Sequence, residues 1–248
     1  MEDNNRYERY SEHYRRGLNR PPDWELADLT PQRFACNKPW LPSDKCERIL
    51  DLGCGWGRFL MSLWCAGYRN IEGVDISPEM VEIACEACRG RVPIEIGDGE
   101  SFLKERAGVY GLICIFDVIE HIALERQHSF LRSVYHALRP DGIIVVRTGN
   151  MCSILAAHAR YFDVTHTSGF TEFSLQQLLE QAGFTDHRLT PDDWGWDPLA
   201  WRPWRPWRGL ALRGAINHVI HRFAYWLRNA YPAPTRYGYN IEMFSRRP

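Results

Sequence analysis

The chain has 248 residues, of which 45% are hydrophobic and 25% are charged, and its formal net charge is −1. This composition suits one α/β domain or two small ones with a sizeable hydrophobic core, and it excludes a wholly disordered chain. No apolar run reaches the roughly 18 residues of a membrane span and the start, MEDNNRYERY, is polar, so a cytoplasmic protein is expected.

Short β-rich runs alternate with helical patterns over residues 45–190, which is typical of a parallel sheet with helices on both faces. The first five predicted strands are Arg48–Leu52, Ile71–Asp75, Pro93–Ile96, Tyr110–Asp117 and Gly142–Arg147. The predicted helices among them are Arg58–Ala66, Pro78–Arg89 and Arg126–Leu138. Ser77 before Pro78 provides an N-cap followed by a proline at the first helical position.

A further helix is predicted to begin at Ser174, with Gln177 completing a capping box. Phe184–Leu189 then favours a sixth strand and Tyr239–Ser245 a seventh. We therefore expect an N-terminal segment (1–44), a core domain (45–190 with 238–248) and an insertion (191–237) between the last two strands.

The insertion is strongly basic. From Pro198 to Ile241 there are seven arginines and no acid or lysine, so the rest of the chain carries −8. The segment begins with the repeat WRPWRPWR, in which a proline every third residue favours polyproline II.

A helix is predicted to follow this repeat, with one apolar stripe and a polar opposite side. The apolar stripe comprises Leu212, Ile216, Val219, Ile220, Phe223 and Leu227. The opposite side carries Arg213, Asn217, His221 and Arg228. Two interpretations stay open, namely an interfacial helix on the inner face of an anionic membrane (201–228) and a helix packed on the sheet or a partner subunit. The acidic remainder and the absence of lysine disfavour nucleic acid.

The segment ILDLGCGWGRF predicts a cofactor loop, because a hydrophobic strand leads into three alternating glycines and then a helix. Asp75 ends the next strand, 18–22 residues beyond the three glycines, where an acid is placed to bind ribose hydroxyls. The spacing GxGxG and the absence of GxxxxGK[ST] disfavour a dinucleotide oxidoreductase and a phosphate-binding NTPase.

These motifs resemble those of the class I S-adenosylmethionine-dependent methyltransferases. ILDLGCGWGRF, IEGVDISPEM, IGDGES, GLICIFDVIEHI and LRPDGIIVV are similar to five family motifs in consecutive order, over about Lys45–Phe184. The resemblance implies a Rossmann-like seven-stranded sheet with an antiparallel last strand, and an N-terminal helix over the cofactor. In such a helix one of Tyr7, Tyr10 and Tyr14 would reach the cofactor. These tyrosines also fit a stripe that packs against the rest of the protein.

The resemblance also implies roles for single residues. Asp51, Gly53 and Gly55 would hold the methionine part of S-adenosylmethionine. Asp75 and Ile76 would hold the ribose and flank the adenine. Asp98 would face the adenine, and Asp117 would lie under the sulfonium.

Transfer of methyl to a hydroxyl needs a base or a metal, and His121 and His166 are the expected catalytic residues. DVIEHI is similar to the metal-binding motif of ubiquinone-biosynthesis and small-RNA O-methyltransferases. A magnesium site of Asp117, Glu120, His121 and His166 is therefore an alternative, although Asp117 stands where those families have Glu.

The stretch RYFDVTHTSGFTEFSLQQLLEQAGF resembles methyltransferases encoded with polysaccharide and lipopolysaccharide assembly enzymes. The preferred acceptor is accordingly a sugar hydroxyl of a glycan or glycolipid precursor. A quinone-type or other small molecule and RNA are the alternatives, and the oligomeric state stays open.

Overall fold

The computed structural model describes the backbone of residues 38–190 and 208–248, and the side chains of 38–190 and 216–248. The N-terminal tyrosines, residues 201–207 of the arginine–tryptophan repeat, and the side chains of Leu212 and Arg213 lie outside these ranges.

Seven strands of the described chain form one sheet in the order β3-β2-β1-β4-β5-β7-β6. Their bounds are β1 Ile49–Leu52, β2 Ile71–Asp75, β3 Ile94–Ile96, β4 Tyr110–Phe116, β5 Leu138–Gly149, β6 Thr185–Leu189 and β7 Asn240–Arg246. β7 pairs antiparallel with β5 and β6, and the other strand pairs are parallel. The predicted sheet with an antiparallel last strand is confirmed.

Seven α-helices are described between these strands. Their bounds are α1 Arg58–Cys65, α2 Pro78–Ala87, α3 Gly99–Leu103, α4 Leu124–Ala137, α5 Ala156–Tyr161, α6 Glu172–Gln181 and α7 Arg208–Leu227. A 3₁₀ turn covers Ile119–His121. α3, α5 and this turn were not predicted, because segments of six residues or fewer carry little periodicity. The expected helical insertion between β6 and β7 is confirmed as α7.

Hydrophobic cores lie on both faces of the sheet, as alternation along a strand requires. In β5, Ile144 and Val146 join one core with side chains of α4 and α6. Val145, between them in sequence, joins the other core with side chains of α1. The cofactor loop therefore connects a strand that is buried on both faces to a helix that packs against it.

The predicted start of α6 is wrong. Thr171 is the N-cap: its Oγ1 accepts a hydrogen bond from the Ser174 amide at 3.2 Å, and Ser174 Oγ accepts one from the Thr171 amide at 2.9 Å. The capping box is thus Thr171 with Ser174 and not Ser174 with Gln177. Phe170 and Leu175, which flank this box, are both buried in the same core, and this hydrophobic staple accounts for the earlier start.

Candidate active site

A cleft of about 280 Å³ opens at the carboxyl ends of β1, β2 and β4. This is the point where the chain order of the strands reverses, the usual position of ligand sites in open α/β sheets. All seven residues expected to hold the cofactor line the cleft, namely Asp51, Gly53, Gly55, Asp75, Ile76, Asp98 and Asp117. His121 lines the same cleft, whereas His166 does not.

The glycine loop between β1 and α1 has a backbone that favours glycine. Gly53, Gly55 and Gly57 have φ of +80°, +51° and +77°. A Cβ on Gly53 would lie 2.3 Å from Cγ2 of Val118, whereas a Cβ on Gly55 would meet no atom within 4 Å. The loop therefore leaves open space beside the N-terminus of α1, as close approach of a ligand to the backbone requires.

Asp75 joins this loop to the end of β2. One carboxylate oxygen accepts a hydrogen bond from the Gly55 amide at 2.8 Å, and the other accepts one from the Ser77 amide at 2.9 Å. Burial raises the pKa of Asp75, while these backbone hydrogen bonds oppose that rise. The carboxylate is therefore held in a fixed orientation at the cleft wall.

An arginine that the sequence analysis did not identify organises two of the cleft acids. Arg147, near the end of β5, lines the cleft and forms an ion pair with Asp117. Asp51 is 2% exposed, and burial raises its pKa to about 7, against the attraction of Arg147. Arg147 therefore partly neutralises the acids that lie at the expected methionine end of the cofactor.

Asp98 has a structural role besides its place in the cleft. It is the N-cap of α3, because Oδ1 accepts a hydrogen bond from the Ser101 amide at 3.0 Å. Its Oδ2 lies 3.7 Å from a guanidinium nitrogen of Arg126, which also bonds Glu100. This arrangement fixes the carboxylate at the cleft edge, where the resemblance places the adenine.

His121 is held by a chain of hydrogen bonds. Its Nδ1 lies 2.8 Å from Oγ1 of Thr165, and that hydroxyl donates to Oδ1 of Asp163 at 2.7 Å. Because the single hydroxyl proton is used in that bond, His121 must donate from Nδ1, and the neutral ring carries its lone pair on Nε2. Burial and the neighbouring His166 lower the pKa of His121 to about 4, so the ring is neutral at pH 7.

Asp163 is the acid that supports this chain. It is 4% exposed and accepts two hydrogen bonds from Thr165, one from the hydroxyl and one from the amide at 2.8 Å. Burial acts to raise its pKa, but these hydrogen bonds and the two histidines outweigh burial, and the pKa is lowered. An ionised Asp163 at neutral pH is consistent with the tautomer assigned to His121.

His166 lies against His121, with ring centroids 4.6 Å apart. Its Nδ1 is 3.0 Å from the carbonyl oxygen of Ala159. A carbonyl only accepts, so this nitrogen carries a proton. The two predicted histidines are thus brought together, but only His121 reaches the cleft.

The alternative metal set is not assembled as expected. In the described residues, His121 and His166 group with Asp163, and ligand atoms of these three lie within 4.8 Å of one another. Asp117 belongs instead to the ion pair with Arg147. Glu120 is 5% exposed, and burial raises its pKa to about 8, so it is a neutral acid at pH 7.

Comparisons with known proteins agree with this geometry. Residues 12–189 match a family described as "Methyltransferase domain". The chain is 31% identical over 107 residues to a ubiquinone biosynthesis O-methyltransferase of Caulobacter sp. (strain K31), covering 42% of this chain and 41% of that protein. It is 30% identical over 126 residues to cyclopropane-fatty-acyl-phospholipid synthase of Escherichia coli (strain K12), covering 50% of this chain and 31% of that protein. The matches thus span less than half of each relative.

Solved structures share the fold over nearly the whole chain. A SAM-dependent methyltransferase from Archaeoglobus fulgidus superposes with a TM-score of 0.64 at 22% identity, covering 97% of this chain and 99% of that one. A phosphoethanolamine N-methyltransferase of Haemonchus contortus, solved with S-adenosyl-L-methionine, gives a TM-score of 0.52 at 17% identity and covers 96% of this chain and 55% of that one. At these identities the likeness concerns the fold.

Proposed function

This chain belongs to the class I S-adenosylmethionine-dependent methyltransferases, and from that membership and its cleft we propose that it methylates a hydroxyl oxygen. The observation that carries the proposal is the orientation of His121. This histidine lines the cleft beside Asp117, is neutral at pH 7, and carries its lone pair on Nε2. A hydroxyl acceptor needs such a group to remove its proton.

The cleft residues fit the cofactor that the family uses. The open space at Gly55, the N-terminus of α1 and the fixed Asp75 carboxylate suit a ligand with a backbone-binding end and a ribose. S-adenosylmethionine supplies a methyl group on a positively charged sulfur, and Asp51 and Asp117 would hold its methionine end.

The proton of the acceptor hydroxyl would pass to Nε2 of His121 as the new O–CH₃ bond forms and the S–CH₃ bond breaks. The imidazolium that results would be stabilised through the Nδ1 proton by Thr165 and the ionised Asp163. This arrangement places a base, its orienting hydroxyl and a buried acid in series, as activation of a weak nucleophile by an oriented base requires.

For the acceptor we propose a sugar hydroxyl on a polysaccharide or glycolipid precursor. The support is the resemblance of residues 160–184 to methyltransferases of glycan assembly, since this stretch contains Asp163, Thr165 and His166. A quinone-type small molecule is the second candidate, favoured by the match to the ubiquinone biosynthesis O-methyltransferase.

Methyl transfer by the purified protein from labelled S-adenosylmethionine to the components of a cell lysate distinguishes these acceptors. The lysate is divided into lipid-linked glycan, quinone, RNA and small polar fractions, with and without EDTA, and the product is treated with alkali. We expect label in the glycan fraction that survives both EDTA and alkali, as an ether does. EDTA-sensitive label in RNA or alkali-labile label in any fraction would overturn the proposal, and label in the quinone fraction would select the second candidate.

A further inference from the structure

Helix α7 presents an apolar surface to solvent. We call this surface the outer face, and each of its six side chains is 50–74% exposed. These side chains are Ile216, Val219, Ile220, Phe223, Trp226 and Leu227. Their spacing of three and four residues places them on one side of the helix, which in a helix packed on a globular domain is the side turned towards the core.

The opposite side of α7 is polar and is bonded to the protein body. Asn217 donates its side-chain amide to the carbonyl oxygen of Tyr237 at 2.9 Å. His221 is 3% exposed, and its Nε2 accepts a hydrogen bond from the Ile154 amide at 2.8 Å. Its Nδ1 lies 2.7 Å from the carbonyl oxygen of Asn217.

These bonds fix which side of the helix faces outward. Both nitrogens of the His221 ring are used, and the ring lies against that of Tyr237 with centroids 4.8 Å apart. Turning α7 to bury the outer face would break these hydrogen bonds and expose the buried imidazole. The way α7 packs on the protein body therefore requires its apolar residues to be exposed.

The outer face lies in a positively charged segment. Arg222 is exposed at one edge of this face, one helical turn before Trp226, and Arg228, which follows the last residue of the helix on its polar side, is also exposed. No acid lies between Pro198 and Ile241. A two-fold contact between copies of this chain through the outer face would bring together two segments of the same positive charge, which like-charge repulsion disfavours.

We propose that the outer face of α7 binds an anionic lipid surface, with its apolar side chains among the acyl chains and the arginines at the phosphate level. No helix in the described parts of the chain combines the length and the hydropathy needed to cross a bilayer. An amphipathic helix lying in the plane of the interface needs neither.

Three further exposed apolar side chains lie in the loops after β5 and before α6. Ile154, whose amide bonds His221, is 67% exposed, and Leu155 is 50% exposed. Val164, in the loop that carries Asp163 and Thr165, is 97% exposed. The lipid proposal does not depend on the acceptor proposed above.

Binding of the full chain to vesicles tests the proposal. The probe is a series of vesicles of phosphatidylcholine alone or with 30% phosphatidylglycerol, separated by flotation. We expect the wild type to bind the anionic vesicles and not the neutral ones. Phe223→Ser with Trp226→Ser should weaken binding at least tenfold, and Arg222→Gln with Arg228→Gln should weaken it about 25-fold, since each arginine contributes about fivefold.

The matched control is Leu124→Ser, which removes a side chain of similar exposure (69%) from the start of α4. This variant should bind as the wild type does, and circular dichroism should show that all variants are folded. Three results would overturn the proposal: wild type that ignores anionic vesicles, binding that Phe223→Ser with Trp226→Ser leaves unchanged, or self-association in sedimentation velocity that the same double variant abolishes.

Discussion

At the scale of single residues, the site depends on which nitrogen of His121 carries its proton. The Thr165 hydroxyl has one proton and gives it to Asp163, so it can only accept from His121. Sequence analysis identified His121 from its position after β4, but it could not identify Asp163, which lies 42 residues further along the chain. These two residues are brought together only when the loop before α6 folds against the 3₁₀ turn.

Replacement of His121 by Asn should lower methyl transfer about 10²- to 10⁴-fold, because the base is lost. Affinity for S-adenosylmethionine should change little, since the glycine loop and Asp75 are intact. The assay is transfer to the labelled fraction at saturating cofactor. His128→Asn, in which an exposed histidine of α4 is replaced, is the control. Equal rates in the two variants would exclude His121 as the base.

The pH dependence of catalysis should follow the lowered pKa of His121. A base must be neutral to accept a proton, so a pKa near 4 keeps His121 active throughout pH 6–8 and removes it only as the pH falls towards 4. The rate should therefore be flat from pH 8 to 6 at saturating cofactor, conditions under which the titration of Asp51 near pH 7 does not limit binding. A fall in rate centred near pH 6.5 would contradict this assignment.

Glu120 makes a different prediction, which concerns stability. Its pKa of about 8 lies above the ordinary value of 4.5, because burial disfavours the charged form, and its Oε2 has no hydrogen-bond partner. The folded state therefore holds a proton that the unfolded state releases, and the contribution of Glu120 to stability should fall as the pH rises from about 5 to 8. The slope is at most about 1.4 kcal/mol per pH unit.

The variant Glu120→Gln should lose this dependence, since an amide stays neutral at every pH. The free energy of unfolding, from urea titrations at pH 5, 6.5 and 8, should converge between variant and wild type at low pH and favour the variant at pH 8. Glu125→Gln, at an exposed site on α4, should keep the wild-type profile. Parallel profiles for Glu120→Gln and wild type would show that Glu120 is ionised in the folded protein.

At the scale of elements, the glycine loop contains two glycines that are needed for different reasons. At one position a Cβ would collide with a neighbour, and at the other only the positive φ favours glycine. Gly53 and Gly55 both have positive φ, but only a Cβ at Gly53 collides, with Val118. Gly53→Ala should therefore destabilise the fold by about 1–3 kcal/mol more than Gly55→Ala does. Thermal unfolding checks this difference. In a Val118→Ala background most of the excess should disappear, and an excess that persists would place the strain in the backbone alone.

The elements also show what local sequence can and cannot decide. β1 and β4 were predicted to within one residue, because buried parallel strands are largely apolar, apart from Asp51 in β1, and a glycine or an acid follows each of these two. The capping box of α6 was misplaced, because either Thr171 or Ser174 could be the N-cap. Which of the two caps the helix depends on burial of Phe170. For α7 the part of the stripe that the structure describes, Ile216 to Leu227, was correct, but its outward direction depends on hydrogen bonds of Asn217 and His221 to distant backbone.

At the scale of the whole molecule, one acid of the cleft was predicted from the sequence, whereas the arginine that pairs with another was missed. Asp75 was identified because its spacing from the glycines reflects one βαβ unit. Arg147 was missed, because its partner Asp117 belongs to another strand, and only the pairing of β4 with β5 brings the two together. Residues that pair across parallel strands lie far apart along the chain, and nothing in a single sequence indicates which of them will pair.

We expect S-adenosylmethionine to bind the cleft at the carboxyl ends of β1, β2 and β4. The test is titration calorimetry of the cofactor into the wild type and into Asp75→Asn, with Glu72→Gln on the same strand as the control. We predict binding by the wild type and the control and at least tenfold weaker binding by Asp75→Asn, because an amide cannot accept hydrogen bonds from both the Gly55 and Ser77 amides and still orient a ribose. Equal affinity of all three proteins would contradict this expectation.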